Sequence, residues 1–294
     1  MRFVCCRFGR VTAVVLLVAA ALPVMVLTAP VAGATSYDSV VAADSPLHYW
    51  RLGDSTPPAA DSAGSTSCAS SGSPTFGASG LLIGDSDDAV SFSGSDHLDC
   101  GYMSLASGSE ASLEAWVSLD SLPTTAPYLS TVAGWEGFQF RIVGSGYVQF
   151  VSQDGCCLRV AESSSPISTG ERHHLVGVFD HGSVYLYVDG VFSGQDGGWS
   201  TIGGAGDFWI GQSSSYSGRD LDGTVDEVAV YDTALSADRV DAHLAAGVGG
   251  FSAPVSDSYS ATVLGDSPSQ FWRLGVEPGW AGRRVARLSV SCGR

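Results

Sequence analysis

A segment that opens the body of the chain recurs near its end. Ser36-Tyr37 leads to Asp44-Ser45-Pro46-Leu47-His48-Tyr49-Trp50-Arg51-Leu52-Gly53, and Ser258-Tyr259 leads to Asp266-Ser267-Pro268-Ser269-Gln270-Phe271-Trp272-Arg273-Leu274-Gly275. From Ser36 to Ser258 the offset is 222 residues. Solenoid repeats run only about 20–50 residues, so this period is that of a whole domain. The spacing predicts one folding unit over 35–250 and the opening of a second over 251–294. The second copy loses the pattern after Gly275, where the chain turns basic at Arg283, Arg284, Arg287 and Arg294. That end reads as truncated or frameshifted, with a genuine basic tail as the alternative; either way it has too little apolar surface to offset the entropy of ordering it.

Within the unit, short alternating segments are separated by Gly, Ser and Asp. Residues 111–119 put Leu113, Ala115, Val117 and Leu119 on one face and Glu114, Trp116 and Ser118 on the other, the period-two pattern of a half-buried strand. Residues 138–143 alternate in the same way, with Gln139 and Arg141 opposite Phe138, Phe140 and Ile142. Further strands are expected at 147–151, 175–179, 184–188, 208–211 and 224–231. Asp189-Gly190 suits the two positive-φ positions of a type I′ hairpin turn. One helix is expected, capped by Ser236, with Asp238 in its positive first turn and Gly247 at its end. Many short strands with a single late helix predict an all-β, two-sheet antiparallel sandwich with one short C-terminal helix.

The first 34 residues read as a signal peptide. Arg2, Arg7 and Arg10 precede the apolar run 11–26, and Ala32-Gly33-Ala34 supplies the cleavage site. A retained anchor is the rival reading, weakened by Pro23 and Pro30 and by the lack of a basic stop-transfer cluster. A secreted chain with no further membrane insertion follows. The net charge of −16 and pI near 4.4 argue against nucleic acid and anionic membrane as partners. Export permits disulfides. Cys68, Cys100, Cys156 and Cys157 lie in the body and Cys292 in the tail. Four cysteines allow three connectivities; Cys68 with Cys100 is the preferred bridge, leaving Cys156 and Cys157 to join each other or pair elsewhere.

In order, Tyr49-Trp50-Arg51-Leu52-Gly53, Asp61-Ser62-Ala63-Gly64, Leu113-Glu114-Ala115-Trp116-Val117, Arg172-His173-His174-Leu175-Val176-Gly177-Val178-Phe179-Asp180, Leu186-Tyr187-Val188-Asp189-Gly190 and Gly223-Thr224-Val225-Asp226-Glu227-Val228-Ala229-Val230-Tyr231 resemble the laminin G-like, concanavalin A-like jelly-roll family of bacterial secreted proteins. The resemblance covers 36 to about 247. It implies the jelly-roll fold, and a structural Ca²⁺ site where the N-terminal motif meets the last strand, at Asp54, Asp61 and Asp226. Turn chemistry is the competing account of those aspartates.

The fold hosts lectins, adhesins, spacers and glycosidases alike, so function rests on the site. Sugars are held by aromatic faces and fixed polar groups. Trp135, Trp199 and Tyr216 lie in Gly- or Ser-rich loops, where binding residues often sit, and the strand face carrying Glu114, Trp116, Gln139 and Arg141 is positioned to line a groove; core or edge packing is the competing account of each. A retaining glycosidase needs two carboxylates about 5 Å apart. No tight acidic run of the Glu-x-Asp-x-x-Glu kind is present, Asp226 and Glu227 are adjacent and so expected on opposite faces, and a Gly-x-Ser-x-Gly elbow is absent. The sequence therefore reads as a non-catalytic module for carbohydrate or cell-surface glycan. A structural or adhesive repeat is the alternative and a glycoside hydrolase the last.

Overall fold

The computed structural model describes residues 36–105, 108–124, 129–154, 157–198 and 205–249. The expected signal peptide and second copy lie outside them. In chain order the elements are α1 (Tyr37–Ala43), β1 (His48–Trp50), β2 (Ala69–Ser71), β3 (Thr75–Ala78), β4 (Ala89–Phe92), β5 (His97–Ser104), β6 (Glu110–Leu119), β7 (Leu129–Trp135) and β8 (Phe138–Val143). They continue with β9 (Val148–Asp154), β10 (Cys157–Glu162), β11 (Arg172–Asp180), β12 (Ser183–Val188), β13 (Val191–Gly197), β14 (Ala205–Ile210), β15 (Gly223–Tyr231) and α2 (Ala237–Gly247). The strands form two antiparallel sheets. One has eight strands in the order β13-β12-β11-β6-β15-β4-β3, with β1 also pairing β15; the other has seven, ordered β10-β9-β8-β7-β14-β5-β2.

The alternation read from the sequence sets which side chains meet. Leu113, Ala115, Val117 and Leu119 of β6 point between the sheets, where they join Leu175 and Phe179 of β11 and Phe138, Phe140, Phe150, Phe208 and Ile210 from the facing sheet. Each fully buried side chain of this size contributes about 1.5–3 kcal/mol. Gly177 of β11 lies against Phe150, and a Cβ there would sit 2.2 Å from the ring, so the strand needs glycine for the sheets to close. The Asp189-Gly190 turn has φ of 51° and 75°, as its type I′ geometry requires.

The far face of the eight-stranded sheet carries a second apolar cluster. Tyr37 and Val41 of α1, Leu235 and Val240 around α2, and Leu81 and Leu82 cover Trp116, Val176, Val178, Ala229 and Tyr231. The helix α2 is the expected one, with the Ser236 side chain accepting from Arg239 N. The helix α1 was not expected: a seven-residue segment holding two valines has little helical stability of its own, and it exists because its apolar side docks on this sheet. The segment around Trp135 is strand β7, not loop. Its Gly134 and Ser130 break the apolar alternation, but pairing with both β8 and β14 holds it extended.

One expectation about facing fails. Adjacent strand residues point to opposite faces, yet Asp226 and Glu227 are both buried. The register of β15 against β6 slips between Asp226 and Ala229, and Glu227 takes a φ of 53°. This bulge turns both carboxylates to the helix-covered face, where Asp226 accepts from Leu81 N and Glu227 from the Tyr49 hydroxyl, at a backbone cost of about 1 kcal/mol or more.

Candidate functional site

Glu114 and Trp116 do not line a groove. They are 0% and 1% exposed, because α1 and α2 cover the face that the strand alternation leaves polar. Glu114 instead anchors a sealed network. Its carboxylate accepts hydrogen bonds from Tyr37 Oη at 2.7 Å, Tyr231 Oη at 2.7 Å, His174 Nε2 at 2.7 Å and His243 Nδ1 at 2.9 Å. His243 Nε2 reaches Asp44 Oδ2 at 2.7 Å, and Arg239 Nε donates to the same aspartate at 2.8 Å. Burial alone would raise the Glu114 pKa, but the His243 charge and the hydrogen bonds from His174 and His243 hold it well below the usual carboxylate range. For His243, burial lowers the pKa and the Glu114 and Asp44 carboxylates more than reverse this, so it is raised. Trp116 stacks on His174 at 4.8 Å between ring centroids. Chemically this is a clamp joining α1, α2 and the sheet, with no opening for a ligand.

The acidic residues expected to hold calcium are engaged to different degrees. Asp61 Oδ1 accepts from the backbone N–H groups of Tyr49, Ala63 and Gly64, and Oδ2 from Thr66 N, with His48 Nδ1 at 2.8 Å. Burial works against its charge, but these donors hold its pKa below the ordinary value. Asp54 Oδ2 accepts from Ala60 N. Asp226 Oδ2 accepts from Leu81 N at 2.9 Å, its Oδ1 has no partner, and burial pushes its pKa up to about 7. Asp54, Asp61 and Asp226 form no ligand-spaced group among the described residues. With the oxygens of Asp61 committed to N–H donors, the set does not fit a shared calcium ion, which needs six to eight oxygens. The positive charge at this end of the sheet comes from Arg51, whose guanidinium meets Asp87 at 2.8 Å, Asp85 at 3.2 Å and Glu227 at 3.4 Å; Glu227 also accepts from the Tyr49 hydroxyl. The ligand-spaced cluster among the described residues is Glu110, Asp180 and His181, an exposed group at the β11–β12 turn held by the ion pairs of His181.

The seven-stranded sheet presents a different face. Arg141 of β8 lies between Thr131 of β7 and Gln149 of β9, and donates to Gln149 Oε1 at 2.9 Å. The segment 211–222, between β14 and β15, crosses this face and is tied down by Thr131 N donating to Arg219 O and Gly211 N to Val132 O. The Ser213 hydroxyl accepts from Tyr216 N, which fixes the loop tip. Tyr216 is 43% exposed. The Arg219 guanidinium sits 3.9 Å from its ring centroid, and its hydroxyl donates to Glu136 in the β7–β8 turn. Beside that turn is a recess of about 210 Å³ lined by Trp135, Glu136, Gln153, Ala205, Gly206 and Ser215. Trp135 is 3% exposed and packs on Phe138 and Phe208, so it floors the recess rather than projecting from it. Burial and the neighbouring Arg219 lower the Arg141 pKa to about 10; burial lowers that of Arg219 as well.

Of the six expected ligand-binding residues, the structure thus gathers Trp135, Arg141 and Tyr216 at one place and buries Glu114 and Trp116 at another; Trp199 lies outside the described residues. Arg219 and Glu136 were missed. Their signal was adjacency, Arg219 being three residues past Tyr216 and Glu136 following Trp135, but only the fold brings the two segments together. The bridge Cys68–Cys100 is present, linking positions 32 residues apart. Cys156 and the Cys157 side chain lie outside what is described.

The family model for the concanavalin A-like lectin/glucanases superfamily matches residues 70–241. No curated protein matches the chain. Among solved structures, it is similar to domain 4 of AbnA, a GH43 extracellular arabinanase from Geobacillus stearothermophilus in complex with arabinotriose: TM-score 0.53 at 20% identity, covering 68% of this chain and 98% of that one. It is also similar to the botulinum neurotoxin serotype D binding domain, with TM-score 0.52 at 13% identity, covering 70% of this chain and 52% of that one. These likenesses are of fold.

Proposed function

Since the chain belongs to the concanavalin A-like lectin/glucanases superfamily, we propose that it is a non-catalytic extracellular module that binds carbohydrate where the 211–222 segment meets the β7–β8 turn of its seven-stranded sheet. The observation that carries this reading is the exposed Tyr216 ring held by Arg219 and Glu136 beside a recess floored by Trp135. An aromatic face of this kind stacks on the apolar side of a sugar ring, while Gln153, Glu136 and Ser215 offer fixed polar groups for hydroxyls. The arabinotriose-bound neighbour supports the reading as a precedent for the fold. Binding without hydrolysis is favoured because the buried carboxylates Glu114, Asp226 and Glu227 lie away from this face, in contacts of their own. The disulfide suits an oxidising, extracellular setting, and no helix among the described residues is long and apolar enough to cross a membrane.

Affinity electrophoresis of the purified protein through gels containing soluble polysaccharides tests the reading. Retardation by at least one polysaccharide is expected. Tyr216→Ala should weaken it about tenfold, or ~1.4 kcal/mol, without changing thermal unfolding. Migration unaffected by every polysaccharide, or retardation that survives Tyr216→Ala intact, refutes it.

A further inference from the structure

The chain carries 30 acidic and 14 basic residues, so a guanidinium on its surface meets an excess of carboxylates. Arg51, Arg159 and Arg239 behave accordingly, pairing with Asp87, Asp196 and Asp44. Arg141 and Arg219 do not. Among the described residues neither forms a carboxylate ion pair, and the Nε of each is buried without a hydrogen-bond partner. They are also neighbours by construction. The Arg219 carbonyl accepts from Thr131 N, and Thr131 is the direct cross-strand partner of Arg141. The nearby Glu136 accepts from the Tyr216 hydroxyl instead.

Two like charges held side by side and partly desolvated share the single nearby carboxylate of Glu136, which leaves an excess positive charge that an anionic group would relieve. Burial and the Arg219 charge lower the Arg141 pKa, and burial lowers that of Arg219. Guanidinium forks match the planar or tetrahedral oxygens of a carboxylate or sulfate; the Arg219 guanidinium covers one face of the Tyr216 ring, and the exposed remainder of that side chain is open to a sugar ring attached to the anionic group.

We infer that Arg141 and Arg219, beside the Tyr216 ring, receive the anionic group of an acidic sugar, so that the glycan bound on this face carries carboxylate or sulfate. This rests on the glycan-binding reading above and narrows it to a substrate class. Arg141 and Arg219 supply the charge recognition, and Tyr216 the stacking surface.

The test measures affinity for polygalacturonate, dextran sulfate and neutral dextran at 50 and 500 mM NaCl. The proteins are the wild type, the double variant Arg141→Gln/Arg219→Gln, and Arg172→Gln, which removes a charge from an exposed arginine of β11 on the other sheet. The expected result is retention by a polyanion that weakens at least tenfold at high salt, is lost tenfold or more in the double variant, and is unchanged in Arg172→Gln. Thermal unfolding of the double variant should stay close to that of the wild type, since neither arginine forms a carboxylate ion pair, glutamine keeps part of the aliphatic stem, and the Thr131–Arg219 backbone contact remains. Retention by polygalacturonate alone identifies carboxylate as the group, and by dextran sulfate alone, sulfate. Binding of the neutral polymer without either polyanion overturns this inference and leaves the glycan-binding reading standing. Equal weakening by Arg172→Gln overturns it too, as the effect is then one of net charge. Failure to bind any of the three, together with no retardation on the wider polysaccharide set, overturns both.

Discussion

Replacing Glu114 with glutamine keeps the shape of the side chain and removes its charge. The wild-type carboxylate accepts four hydrogen bonds of 2.7–2.9 Å, from Tyr37, Tyr231, His174 and His243, at 0% exposure. Glutamine keeps one accepting oxygen and turns the other position into a donor facing donors, so about two of the four bonds are lost. Hydrogen bonds to a charged group contribute about 1.5–3 kcal/mol each, and removing one partner of a buried ion pair costs about 3–5 kcal/mol. We expect Glu114→Gln to lower stability by about 3–5 kcal/mol, a large share of the ~5–15 kcal/mol of a typical domain. The pH dependence should change with it. The lowered Glu114 pKa stabilises the fold above its unfolded value of 4.5 and is lost as pH falls through the folded value. The raised His243 pKa stabilises it fully below 6.5 and is lost as pH rises through the folded value. The network therefore contributes most between about pH 4.5 and 6.5 and weakens on the alkaline side. Without the Glu114 charge, that alkaline decline should largely disappear. Urea unfolding from pH 5 to 9, followed by tryptophan fluorescence, measures both effects, since Trp116 stacks on His174 within the network. A variant within 1 kcal/mol of wild type that keeps the alkaline slope would refute the reasoning.

Two further outcomes follow from the same contacts. Asp226→Asn should stabilise the protein at pH 8 by up to about 4 kcal/mol, from a shift of about three units at ~1.4 kcal/mol each, and give no gain near pH 4. A carboxyl whose folded pKa is raised to about 7 destabilises the fold as pH rises from 3.8 through that value; equal stability at pH 8 in chemical denaturation would contradict this. The double variant Cys68→Ser/Cys100→Ser should lose about 3–4 kcal/mol on the loop-entropy model for a closed loop of this length, read as a lower urea midpoint matched by the wild type under reducing conditions; an unchanged midpoint would show that the bridge adds nothing.

Much of the sandwich was legible because its code is local. Period-two alternation in β6 and β8 states which side chains face the inter-sheet core whatever the partner strand. The Asp189-Gly190 turn and the Ser236 cap need only their own neighbours, and both stand as expected. What local pattern cannot state is what lies above a face. Glu114 and Trp116 do point away from the inter-sheet core, as their spacing requires, but α1, a helix with almost no signal of its own, arrives to cover them. The same limit applies to Asp226 and Glu227, where a single bulge reverses the facing rule.

The sequence alone determined the two-sheet sandwich class, the core-facing side of strands such as β6 and β8, and the β12–β13 turn and α2 cap, because alternation, turn residues and caps act over a few residues. Tertiary structure alone decided which polar residues are sealed and which are presented. Burial of Glu114 depends on helices at opposite ends of the domain, and the union of Arg141 with Tyr216 and Arg219 depends on a loop from 75 residues away crossing one sheet. Both are long-range packing events, and no pattern within a short window carries them.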